Sequence, residues 1–74
     1  MWINILDEDI PTYGKHGHIF ILYLRHKLYY GHELSGHEFE TVTAIWDSVN
    51  ECFYEKETKL EIDASEILEW WKEI

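Results

Sequence analysis

The run Ser35-Gly36-His37-Glu38-Phe39-Glu40-Thr41-Val42-Thr43-Ala44-Ile45-Trp46-Asp47-Ser48-Val49-Asn50-Glu51-Cys52-Phe53 decides the fold, because it reads in two ways. At a helical spacing of about 100° per residue, Phe39, Val42, Ile45, Trp46, Val49 and Phe53 gather on one arc. Glu40, Thr43, Asp47, Asn50 and Glu51 gather on the other, and Ala44 alone falls on the wrong side. Ser35 and Glu38 have the spacing of a capping box, in which the hydroxyl and the carboxylate each satisfy an orphan amide of the first turn. This predicts an amphipathic helix. Thr41, Val42, Thr43 and Ile45 argue against it: each branched Cβ lowers helicity by about a few tenths of a kcal/mol, and a strand over Glu40–Trp46 is the alternative.

Upstream the signals are those of strands. Trp2–Leu6 is short and β-prone, and ends at Asp7-Glu8-Asp9 and Pro11, which bars continuation into a central strand. His18–Leu24 is rich in Ile, Phe and Tyr, Arg25-His26-Lys27 reads as a polar turn, and Leu28–His32 resumes apolar character, so a β-hairpin is expected. Gly31 marks a bulge or the close approach of another backbone. Downstream, Lys59-Leu-Glu-Ile62 alternates as a short strand, and Asp63-Ala-Ser-Glu66 repeats the capping-box spacing before Ile67, Leu68, Trp70, Trp71 and Ile74, predicting a short C-terminal helix. The expected fold is α+β: an N-terminal strand, a hairpin, an amphipathic helix, a short later strand and a C-terminal helix packed on a small antiparallel sheet. The alternative is a mainly-β unit in which residues 40–46 and 67–71 are strands.

At 74 residues the chain has room for one domain, spanning 1–74. With 46% hydrophobic and 16% aromatic residues, including four Trp and five Tyr, it is too apolar for a disordered acidic tail. Six basic residues against fifteen acids give a formal charge of −9, which opposes direct binding to nucleic acid or to an anionic membrane. The charge is uneven. Residues 14–37 hold Lys15, Arg25 and Lys27 against Glu33, together with all five histidines, while residues 38–74 hold eleven acids and three lysines. One cysteine allows no internal disulfide, and no basic leader or apolar run of membrane-spanning length is visible, so a reducing cytoplasm is the expected setting. A core this small gives about 3–5 kcal/mol of net stability, so a homodimer or another partner would contribute materially.

Trp2-Ile-Asn-Ile5, then Asp9-Ile-Pro11 and Gly14, then Ile19-Phe-Ile-Leu22, resembles the start of a small phage and prophage domain family of unknown function, which opens with W-I-x-V, an acidic residue near L-P, a Gly and a V-L-V strand. Glu66-Ile-Leu-Glu-Trp70 is similar to that family's closing E-V-T-H-W segment. The resemblance covers about the first thirty residues. It implies a phage or prophage origin and a bacterial host cytoplasm, and it brings no catalytic residues.

No phosphate loop, G-x-S-x-G or H-E-x-x-H pattern is present, so no enzyme activity, catalytic residue or cofactor is expected. Cys52 reads as a small hydrophobe at the edge of the apolar arc. His18 and His32, placed across a hairpin, are the candidates for a metal site, and a His-dependent metal-binding or hydrolytic protein is the alternative function. The acids carry the main functional expectation. On the two expected helices Glu40, Asp47 and Glu51 line one face and Glu66, Glu69 and Glu73 the other, at spacings of about 5–10 Å, comparable to the phosphates of a DNA strand. Trp70 or its neighbour Trp71 must stand partly exposed on a helix, and Trp70 is the expected aromatic anchor. Together these predict a small acidic phage-type accessory protein that binds and occludes a host macromolecule. A basic nucleic-acid-binding or defence protein is the expected partner, bound in the manner of a DNA mimic.

Overall fold

Thr41, Val42, Thr43 and Ile45 settle the ambiguous run: stiff, branched side chains pack well on a pleated surface, and Glu33–Asp47 is one long extended strand. The computed structural model describes residues 1–73. It contains β1 (Trp2–Asn4), β2 (Ile19–Tyr30), β3 (Glu33–Asp47), β4 (Cys52–Glu55), β5 (Glu61–Ile62) and β6 (Ile67–Trp71), joined in one antiparallel sheet of order β1-β6-β2-β3-β4-β5. Among the described residues there is no α-helix, only a 3₁₀ turn at Ala64–Glu66. The α+β expectation is therefore corrected, and the mainly-β alternative fits.

The helical arc was misleading because β3 is apolar on both faces. Val42, Ala44 and Trp46 point to one side of the sheet and Phe39 and Ile45 to the other, so the period of two is hidden and the apolar positions mimic a spacing of 3.6. The C-terminal segment fails as a helix for a different reason. Asp63 does act as a cap, its carboxylate accepting the Ser65 amide at 2.9 Å, but after one turn Ile67–Trp71 extends to fill the gap between β1 and β2. There its β-branched and aromatic side chains gain partners on both flanks.

The hairpin also turns later than its composition predicts. Arg25-His26-Lys27 lies within β2, opposite Phe39-Glu38-His37, and the reversal falls at Gly31-His32, where Gly31 has φ 63°, a value that glycine adopts without a Cβ penalty. A bulge at Leu28/Tyr29 interrupts the ladder, and Ser35 Oγ donates to the Leu28 carbonyl at 3.2 Å across it. Because β6 pairs with β2 only up to Leu24 and β4 reaches β3 only from Ala44, the two long strands continue beyond the sheet as a two-stranded arm. The arm accounts for the 41 × 24 × 18 Å shape.

The core lies on one face. Leu22, Leu24, Val42, Ala44, Phe53, Ile62, Ile67 and Trp70 are buried there, with Ile3, Ile5, Ile10, Phe20 and Trp46 packed against them. Ile5 and Ile10 belong to the loop after β1, which crosses this face and acts as the second layer that the sheet otherwise lacks.

Candidate functional site

The crossing loop is tied down at both ends by backbone and side-chain hydrogen bonds. Near its start the Ile5 amide donates to the Leu68 carbonyl at 3.0 Å, the Trp70 indole Nε1 donates to the Glu8 carbonyl at 2.9 Å, and Lys72 Nζ reaches both Glu8 carboxylate oxygens at 3.2 Å. At its end the Gly17 amide donates to the Trp46 carbonyl at 2.8 Å and the Trp46 amide to the His18 carbonyl at 3.0 Å. Held in this way, the loop covers only part of the core. An open groove of about 670 Å³ remains between the loop and the sheet.

Trp46, Phe53, Ile62 and Ile67 form the floor of the groove and Ile5 and Ile10 its wall. The floor is rigid: the Trp46 and Phe53 rings lie 4.8 Å apart, and Phe20 meets Phe53 edge-on at 5.7 Å. Around it stand the carboxylates of Asp9, Glu51 and Asp63, whereas Glu61, paired with Tyr54, turns its side chain to the other face, and none of the described lining residues is a lysine or arginine. Asp63 is fixed by its cap, and its hydrogen bonds from the Ser65 hydroxyl and amide hold its carboxyl below the usual range. Glu51 is carried by the β3–β4 turn at φ 52°. That turn is built by Asp47, whose carboxylate accepts the Val49 and Asn50 amides at 2.9 and 3.2 Å and the Asn50 side-chain amide at 2.9 Å. The same bonds, led by the Asn50 amide, lower the pKa of Asp47. Carboxylates over a low-dielectric apolar floor focus a negative potential into the groove. Cys52, paired with Asp47, turns its thiol to the other face beside Tyr54 and Glu61, and burial pushes it up, so it is a neutral group there rather than a thiolate.

The residues expected to form two acidic rows are dispersed, because no helix carries them. Glu40 and Glu66 meet at His26 instead: His26 Nε2 lies 2.8 Å from Glu40 and Nδ1 2.7 Å from Glu66, tying the base of the arm to the 3₁₀ turn. Two acceptor-only carboxylates on both ring nitrogens call for imidazolium, and the pKa of His26 is raised by these two hydrogen bonds, Glu40 first. Asp47 builds a turn, Glu69 sits between Asn4 and Tyr23 on the opposite sheet face, and Glu73 lies beyond β6 beside a cleft shared with Pro11 and Lys15. Only Glu51 borders the groove. Trp70 is 4% exposed and so is no outward anchor, whereas Trp71 is 38% exposed. The DNA-like spacing, which required helices, has no counterpart in these strands.

His18 and His32 stand at opposite ends of β2, about 40 Å apart along a strand of this length, and do not converge. Among the described residues no group of three or more His, Cys, Asp or Glu side chains is arranged to hold a metal ion. Sequence reasoning missed Asp9 and Asp63 as companions of Glu51. The acidic residue before Ile10-Pro11 was visible, but what brings it opposite Asp63 is the path of the loop across the sheet. No family model, curated protein or solved structure matches the chain.

Proposed function

We propose that the protein is a binding module that takes a basic segment of a partner protein into its groove, seats an apolar side chain of that segment on the Trp46–Phe53 floor, and thereby occludes the partner's own surface. The observation that carries this reading is the coincidence of an apolar groove of ligand size with three rim carboxylates and no described lysine or arginine in its lining. Charge complementarity speeds encounter, and a seated apolar side chain slows release. The resemblance of the N-terminal thirty residues to phage and prophage domains supports a phage accessory role with a host protein as partner, in the bacterial cytoplasm. No helix of the described residues is long and apolar enough to cross a membrane.

Capture from bacterial lysate at two salt concentrations tests the reading. A basic protein should be retained at about 50 mM salt and released at about 500 mM, where the screening length falls from about 14 Å to about 4 Å. The double variant Asp9→Asn/Asp63→Asn keeps the cap geometry at residue 63 and removes two rim charges, so it should retain much less. Capture indifferent both to salt and to this variant would refute the proposal.

A further inference from the structure

Among the described residues nothing covers the sheet face opposite the groove. Ile19, Ile21 and Tyr23 of β2, Phe39 and Ile45 of β3, and the neighbouring Trp2 and Trp71 lie on it, with Ile19 and Phe39 each 53% exposed and Ile21, at the centre, 38% exposed. Threonines fill the intervening positions Thr41 and Thr43. An outward face of an antiparallel sheet is ordinarily polar. This one is apolar over most of its width, and its rings already touch: Trp2 lies 5.4 Å from Trp71 and 6.0 Å from Tyr23, and Tyr23 stacks on Phe39 at 5.7 Å.

Its charges are nearly balanced, although the chain carries −9. Arg25 and Lys27 stand at the arm end, Asp47 and the edge residue Glu61 at the opposite end, and Glu69 between them. We infer that this face is the interface of a homodimer, two copies packing sheet on sheet about a twofold axis that crosses the strands. Such an axis turns the strands of one copy antiparallel to those of the other and lays the Arg25/Lys27 end of each over the Asp47 end of its mate. A twofold along the strands would set like charge on like. A basic partner would meet Arg25 and Lys27 with no compensating anion, whereas a second copy supplies one. The extents of 41 × 24 Å bound the face at about 980 Å², enough for the roughly 800 Å² that each partner of a standard interface buries. The dimer leaves both grooves outward, so one assembly presents two sites, and a partner with repeated basic segments is held by both at once.

Sedimentation velocity between about 1 and 100 µM reads the assembly directly. Wild-type protein should be a dimer at the upper concentration, and Ile21→Glu should raise the dissociation constant by at least about 30-fold, the loss expected from spoiling a central contact. Thr43→Glu, at the position paired with Ile21, should do the same, and the far-UV circular dichroism of either variant shows whether the strands persist. Arg25→Glu should weaken the dimer less. A wild-type monomer at 100 µM overturns the inference. So does a dimer indifferent to both central variants, which would point instead to pairing along the free edge of β3. Groove binding is read separately, because Ile21 and Thr43 lie on the opposite face and their variants should capture a basic partner as wild type does.

Discussion

Trp70 and Trp71 are adjacent in β6, yet one is 4% exposed and the other 38%. The strand sends them to opposite faces, and among the described residues only one face has a lid: the N-terminal loop brings Ile5, Ile10 and the Glu8 carbonyl to Trp70, whereas Trp71 meets Trp2 edge-on. Each face has the same kind of apolar and aromatic side chain, so composition does not distinguish them. What separates an interior from an available surface is the path of about a dozen residues, and where that path leaves the lid incomplete the interior itself becomes a groove.

The largest expected effect follows from that asymmetry. Trp70→Ala removes the central contact of the covered face and leaves the Glu8 carbonyl without its indole donor, at a cost of about 3–5 kcal/mol, which is the whole stability expected of so small a domain. It should be unfolded at 25 °C by circular dichroism. Trp71→Ala, measured at about 1 µM to keep the chain monomeric, should lose less than about 1 kcal/mol in urea unfolding. Equal losses would mean that both faces are covered alike.

Smaller effects come from pH. The folded pKa of His26 is raised above 6.5, so its contribution is fully present below pH 6.5 and is lost as pH rises through the folded value. Asp47 and Asp63 run the other way: their folded pKa values lie below 3.8, so their contributions are present above that pH and lost as pH falls through the folded values. Stability should therefore be greatest between about pH 4 and 6.5 and decline on both sides. His26→Gln should flatten the upper limb, an effect of about 1 kcal/mol or less for so exposed a pair, measured by urea unfolding at pH 6 and pH 9. An unchanged upper limb would detach the arm base from the groove side of the sheet.

The β1 segment, its end before the acidic run and Pro11, and the Asp63 cap were legible in the sequence because each depends on neighbours within a few residues. The strands β3 and β6 were legible only as alternatives. Their β-branched and aromatic residues were visible, but two-sided apolar patterning concealed the alternation that names a strand, and only long-range pairing resolves it. The placement of the reversal at Gly31-His32 rather than Arg25-His26-Lys27 shows the same limit: a polar triplet suits a turn, yet here two of its members are outward positions of a paired strand and the third is held by Glu40 and Glu66. Of the site, acidity and aromatic content were readable, and the grouping of Asp9, Glu51 and Asp63 was not, since these residues are separated by up to 54 positions in the chain and meet only through the fold.

The central claim is that the groove prefers a basic ligand bearing an apolar side chain. Fluorescence anisotropy of a labelled lysine-rich peptide containing one leucine, titrated with wild-type protein and with Asp9→Asn/Asp63→Asn, tests it most directly. Binding should weaken with salt, drop about tenfold or more in the double variant, and drop again when the leucine is replaced by serine. Equal affinity for the leucine and serine peptides, unchanged in the double variant, would contradict it.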